Sequence, residues 1–423
     1  MKAGSQAPGV KEGRGYREER INRLYRRDWN PRSVLAGYFS VYITEGMVRS
    51  IMYVLPIYLI SGFFNLSTIE IGFILIMAYV PWHFKFLIGF GMDASPGIGR
   101  WRRRIYIVLG TFVTIAGVLW LGGATDVWLG ILPAVILVMG GDALIDTGMD
   151  SLLLDVTPPD WHGTGFGVGW GARAIGYTIS LVLTLFVQAA FGWPAVLYLF
   201  ALYALPALLA VSINEPATTE ERRITKASMA ETFTDRRLLG WMAFAFLGGF
   251  VYVLDPTRGF LSLIISPITG AETQAIIISA VVFGIAATIS SFSMGRVIDR
   301  IGHRKGYRLS LAAAFLGVLL WSIAMPSSFA MVLVYSAILG FLGAFNIVAW
   351  FTVLADTVPP NFTAFMWQYE MGWLHVAAFV SGIFISALGA GQLAMLGLAL
   401  LMLTGFIPAK IIKSTKVSKG DVS

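Results

Sequence analysis

The apolar positions of this 423-residue chain come in long unbroken blocks rather than in alternation or narrow stripes. Blocks of about 20 apolar residues, the length a helix needs to cross a bilayer, fall at 33–60, 68–91, 105–122, 127–154, 165–190, 193–213, 238–266, 272–295, 309–325, 328–355, 364–388 and 391–409. The breaks between them are short turn-forming runs, such as 61–67, 122–125 and 265–270, except for one polar stretch at 214–237. This pattern predicts an all-α polytopic membrane protein with twelve transmembrane helices. Its expected parts are a basic N-terminal segment at 1–32, six helices at 33–213, a linker at 214–237, six helices at 238–409 and a tail at 410–423.

The polar positions orient the blocks. All but four of the 31 Lys and Arg residues lie before residue 33, at 100–104, 222–237 and 296–308, or after residue 409. With twelve spans these segments all fall on one side, and the positive-inside rule makes that side the cytoplasm, so both termini are expected there, in the plasma membrane. The remaining four, Arg49, Lys85, Arg173 and Arg258, fall within spans. The first thirty residues run into an apolar block with no small-residue cleavage site, so that block is expected to stay as a span. The segment 16–29 mixes Arg with Tyr, Ile, Leu and Trp, which suits either a helix on the anionic leaflet or a disordered basic tail.

Composition narrows the function classes. With 57% hydrophobic and 13% charged residues, the chain carries about half the charge of a soluble domain. There is no cysteine, and the four histidines, at 83, 162, 303 and 375, make no pair on one helical face, so no metal and no cofactor is expected. The net charge of +7 follows the topology and does not suggest nucleic acid. Gly163, Gly165, Gly167, Gly169 and Gly171 fit no nucleotide-binding register; spaced by four, they read as two small-residue surfaces for helix packing.

The two halves repeat. Gly89-Phe-Gly-Met-Asp93, followed by Arg100 to Arg104, corresponds to Gly295-Arg-Val-Ile-Asp299-Arg300-Ile-Gly302-His303-Arg304-Lys305. Asp155-Val-Thr-Pro158-Pro159 corresponds to Asp356-Thr-Val-Pro359-Pro360, about half a chain away. The stretch 295–305 resembles the Gly-x-x-x-Asp-Arg-x-Gly-Arg-Arg/Lys loop of the major facilitator superfamily, and this second copy is nearly complete. That resemblance implies two pseudo-symmetric six-helix bundles and a structural or gating role for Asp93, Gly295, Asp299, Arg300 and Gly302; the first copy departs by the insertion 94–99 and lacks an Arg after Asp93. More weakly, Asp142-x-x-x-Asp146 with Arg173 is similar to the folate–biopterin transporter and muropeptide-permease branches, although Trp161-His162-Gly163 stands where those have Glu-Arg-Gly. In the superfamily, spans 3, 6, 9 and 12 face lipid, and here those four carry no ionisable residue.

An ionisable side chain at the centre of a span costs about 2.5–3.5 kcal/mol on insertion scales, so each needs a partner, a cavity or a function. The candidates are Glu45, Arg49, Lys85, Asp142, Asp146, Asp150, Arg173, Asp255, Arg258 and Glu370. Tyr42, Glu45, Arg49 and Tyr53 share one helical stripe, readable as a protonatable Glu beside a substrate-binding Arg or as a self-neutralising pair. Asp142, Asp146 and Asp150 recur every four residues, and three such carboxylates cannot all stay ionised in lipid without basic partners, for which Lys85 and Arg173 are the candidates. Coupling or protonation is expected at Glu45, Asp142 and Asp146, substrate binding at Arg49, Arg173, Tyr42, Tyr53 and Glu370, and structural roles at Asp150 and Lys85. Asp255-Pro-Thr-Arg258 reads as a broken helix or as a kink near the outer interface.

The chain is therefore expected to be a monomeric, non-enzymatic secondary transporter in the lipid bilayer, moving a small polar or anionic solute by alternating access with protons as the coupling ion. The alternatives are a facilitated uniporter and a non-transporting assembly or lipid-binding protein on the same scaffold.

Overall fold

The computed structural model describes residues 30–60, 66, 70, 73–74, 77–95, 101–215, 233–234, 237–254, 273–358, 363–388 and 391–408. The segment 16–29, most of the 214–237 linker, Asp255, Arg258, Pro359, Pro360 and the 410–423 tail lie outside them. The described residues are almost wholly helical and hold no strand. The first block forms α1 (Pro31–Arg49) and α2 (Ile51–Ile60). Asn30 starts it by accepting the Arg32 and Ser33 amides, with Pro31 in the first turn, where its missing N–H costs nothing. The second block ends as α3 (Val80–His83) and α4 (Lys85–Ala94), interrupted at Phe84.

There follow α5 (Arg104–Gly122), α6 (Leu132–Val156) behind a π-turn capped by Asp126, and α7 (His162–Ala204). Within α7, Gly192 has φ +79° and Pro194 follows, so the helix bends where the sequence separates 165–190 from 193–213. The continuous helical stretch from Pro159 to Ser212 has 54 residues, enough for two crossings at about 1.5 Å per residue. The second half contributes α8 (Arg237–Gly248), α9 (Thr273–Ile301), α10 (His303–Ile323), α11 (Phe329–Ala355), α12 (Thr363–Leu388) and α13 (Gln392–Leu403).

Large apolar side chains stand exposed on α5 (Leu109, Phe112), on 202–209 (Leu202, Leu209), on α10 (Leu316, Ile323) and on α13 (Leu393, Leu400). Comparable exposure also occurs on α7 (Phe186, Phe191), α9 (Ile285, Ile289) and α12 (Phe379), so it does not single out spans 3, 6, 9 and 12; apolar exposure of this kind is stable only against lipid. Inside, α1 packs on α7, α5 on α6 and α9 on α11, while α7 meets α9 and α4 meets α12 to join the first half of the chain to the second. Glycines set two of these contacts. A Cβ on Gly46 would run into the Arg173 carbonyl, which holds α1 close to α7, and one on Gly295 would run into the Gly163 carbonyl, which holds α9 close to α7. The two sequence-marked glycine surfaces separate cleanly, with Gly163, Gly167 and Gly171 against α9, and Gly165 and Gly169 against Tyr38 and Tyr42 of α1.

Candidate functional site

The predicted stripe on α1 is buried, with Tyr42, Glu45 and Arg49 facing the interior. Glu45 Oε1 accepts from Arg49 Nη1 at 3.0 Å and is paired with Arg173 Nη1 at 3.1 Å. Of the two basic partners expected for the span 4 aspartates, Arg173 thus goes to Glu45 through the close α1–α7 contact, and Lys85 pairs with Asp146. The Trp82 indole organises the cations, with the Arg49 guanidinium 3.9 Å and Lys85 Nζ 3.8 Å from its centroid. Nothing in the sequence distinguished Trp82 from the other aromatics. Arg173 lies over Trp170 at 4.4 Å, and His375 extends the aromatic wall, stacked on Tyr252 with centroids 6.2 Å apart and 6.1 Å from Trp82.

The three aspartates of α6 have three different environments. Asp150 is fully bonded, accepting from Tyr42 Oη at 2.6 Å, Trp367 Nε1 at 2.7 Å and Gln368 Nε2 at 3.2 Å, which ties α1, α6 and α12 together. Asp146 has Lys85. Asp142 is buried, and among the described residues neither of its oxygens accepts a hydrogen bond. Glu45 Oε2, Arg49 Nε and Arg173 Nη2 are likewise buried without hydrogen bonds among these residues. The cluster holds the carboxylates of Glu45, Asp142, Asp146 and Asp150 against the cations of Arg49, Lys85 and Arg173, one more carboxylate than cation among the described residues. Tyr53 packs edge-on against Tyr177 on the next turns of the same face. Glu370, also buried, is bonded by Thr357 Oγ1 at 3.2 Å and by no member of the cluster.

The repeated motifs form two junctions at the basic ends of the helices. Asp93 Oδ2 accepts the Phe365 amide at the start of α12 (2.8 Å), and its Oδ1 pairs with Arg103 Nη2 (2.6 Å), whose Nε reaches Asp155 (3.0 Å). The Glu215 carboxylate accepts the amides of Arg102, Arg103 and Arg104, anchoring this corner. In the second junction Asp299 accepts the Gly163 and Thr164 amides at the start of α7, both at 2.7 Å. Each motif carboxylate therefore sits on the N-terminus of a helix from the opposite half, where backbone N–H groups are unsatisfied and the helix dipole favours an anion. The insertion 94–99 and the missing Arg after Asp93 do not prevent this, because Arg103 supplies the cation. Arg300 is exposed, and Gly302, at φ +90°, turns the chain from α9 into α10.

At the second junction His303 Nδ1 lies 2.8 Å from Asp356 Oδ2 and its Nε2 3.6 Å from Asp299 Oδ1, while His162 Nδ1 is 3.8 Å from Asp356 Oδ1. Partial burial would raise the Asp356 carboxyl, but the two histidines hold it below the usual carboxylate range. The sequence repeat marked Asp155 and Asp356 as equivalent without indicating what they bind.

No family model matches the chain, and no curated protein sequence matches it. Solved structures do. The human organic anion transporter MFSD10 (TETRAN) aligns with 90% of this chain and 100% of its own at 14% identity and a TM-score of 0.68. A bacterial homologue of the iron transporter ferroportin, in an outward-facing state, aligns with 90% of this chain and 98% of its own at 14% identity and TM-score 0.66. A variant of the E. coli fucose:proton symporter FucP aligns with 91% of this chain and 99% of its own at 14% identity and TM-score 0.69. With apolar helices, a repeated helix-capping junction and near-complete coverage by these structures, the chain has the fold of the major facilitator superfamily transporters.

Proposed function

We propose that this chain is a secondary active transporter that moves a small organic anion or polar solute across the membrane by alternating access, coupled to protons. The observation that carries the reading is the unequal buried charge, with four carboxylates against three cations and no hydrogen bond to Asp142 among the described residues. A buried carboxylate without partners is stable only when neutral. A proton on the cluster, centred on Asp142 or shared with Glu45 and Asp146, balances it, and releasing that proton changes what the cations can bind. Arg49 and Arg173 converge on one oxygen of Glu45, and their buried Nε and Nη2 donors, which make no hydrogen bond among the described residues, suit the carboxylate or hydroxyl of a solute. Tyr42, Tyr53 and the ring of Trp82 border the same face, whereas Glu370 stands apart from it. Among the structures of this fold, one is an organic anion transporter and another a fucose:proton symporter; organic anion with proton is the combination this cluster suits.

The test is reconstitution in liposomes that enclose a pH dye, with pooled organic anions and neutral polar solutes outside. Wild type is expected to admit protons with a solute, and an equally well-folded Asp142→Asn to lose the proton entry. Solute uptake without any pH change in wild type would identify a facilitated uniporter. Absence of uptake from a broad panel would sink the transport reading and leave an assembly or lipid-binding protein.

A further inference from the structure

The two junctions use the same geometry with different cations. In the first, a guanidinium bridges two carboxylates, Arg103 standing between Asp93 (2.6 Å) and Asp155 (3.0 Å). In the second, an imidazole bridges the equivalent pair, His303 standing between Asp299 (3.6 Å) and Asp356 (2.8 Å). Arginine stays charged at every physiological pH, and histidine does not. Both ring nitrogens of His303 face carboxylate oxygens, which are acceptors only. The neutral ring carries one N–H, so it would turn a lone pair toward one of the two carboxylates; only the imidazolium satisfies both.

The same junction holds α7 against α9. Asp299 accepts the Gly163 and Thr164 amides and the Thr164 hydroxyl (2.6 Å), so the carboxylate that His303 neutralises is the one that joins the two halves of the chain. The groups facing His303 are Asp299 from α9, Asp356 from the end of α11 and, through Asp356, His162 from the start of α7. Arg304, next on α10, also acts on Asp356. Without a proton on His303, Asp299 and Asp356 lose the cation between them, and the Arg304 guanidinium remains on the Asp356 side.

From this geometry we infer that the α7–α9 junction is a proton-operated latch, closed when His303 is protonated and released when it is not, while the Arg103 junction holds at all pH. The latch rests on the alternating-access reading above, in which the two halves separate on this side. When they part, His303 loses its carboxylates and returns to an ordinary imidazole, with a pKa of about 6.5. The closed form therefore binds the proton more tightly than the open form. Its advantage is complete below about 6.5 and is lost as the pH rises above it, at about tenfold in the closing equilibrium per pH unit per proton.

The chain has no cysteine, so a label pair at Asp160→Cys and Arg296→Cys, both exposed and flanking the junction, is unique. Pulsed electron resonance between spin labels there, in liposomes without solute, reads opening independently of transport. Between about pH 6 and about pH 8.5 the wild-type background is expected to shift from the short to the long separation, by up to about 100-fold in population ratio. H303R is expected to stay short throughout, and H303Q to be long throughout. A wild-type separation indifferent to pH, or an H303R variant that shifts as wild type does, overturns the latch. Because the readout needs no solute, failure of the transport assay leaves this measurement meaningful, and a working transporter with a pH-independent separation removes only the latch.

Discussion

Arg173 of α7 and Arg49 of α1 meet on a single atom, Glu45 Oε1, at 3.1 and 3.0 Å. Two guanidinium groups on one carboxylate oxygen leave donors over in a buried place, with no second acceptor for them among the described residues. On the proposed reading, the Glu45 carboxylate holds the ground that an anionic solute would take.

Arg173→Lys tests that relationship. Lysine keeps the charge but loses the planar fork, including the Nη2 donor that makes no hydrogen bond among the described residues. Solute affinity is expected to fall about tenfold, equivalent to about 1.4 kcal/mol, with protein abundance unchanged. Binding measured by titration calorimetry checks this, and unaltered affinity would show that Arg173 serves only to neutralise Glu45.

Asp146 and Lys85 are buried partners, so removing one strands the other. Asp146→Asn is expected to destabilise the protein by about 3–5 kcal/mol, the range for an orphaned buried charge. Adding Lys85→Met to that variant is expected to recover most of the loss, since the stranded ammonium goes with it. Thermal unfolding in detergent of the two single variants and the double variant measures the coupling; simple additivity would contradict the pairing.

Gly295→Ala places a methyl group against the Gly163 carbonyl, where the contact is backbone on backbone and neither side can give by a rotamer change. Overpacking of this kind costs about 1–3 kcal/mol, here borne by the closed α7–α9 contact. A cysteine introduced at Thr164 is expected to react faster with a water-soluble maleimide in the alanine variant. Equal reaction rates would mean that the contact is looser than its geometry indicates.

Asp356 is held below the usual carboxylate range by His162 and His303, so its contribution to the junction is present above about pH 4 and is lost as the pH falls through its lowered value. Asp356→Asn is therefore expected to lower the melting temperature near neutral pH and to approach wild type in strong acid. A melting-temperature difference that does not depend on pH would exclude this ionic role.

The sequence by itself determined the helical blocks and their breaks. Where the chain is described, the helix boundaries follow the apolar blocks closely, down to the bend at Gly192, because lipid leaves no other place for backbone polar groups. It also identified the residues of the buried cluster, since an ionisable group in an apolar span stands out whatever surrounds it. Only the tertiary structure decided who pairs with whom. Asp142, Asp146 and Asp150 are equivalent by spacing, yet one meets Lys85, one meets Tyr42, Trp367 and Gln368, and one accepts no hydrogen bond among the described residues, because each partner comes from a helix whose tilt and depth are set by packing. Trp82 between two cations, and His303 in the place that Arg103 holds in the other half, were unreadable for the same reason. Helix periodicity fixes which face a side chain takes, and contacts between helices that are distant in sequence fix what that face meets.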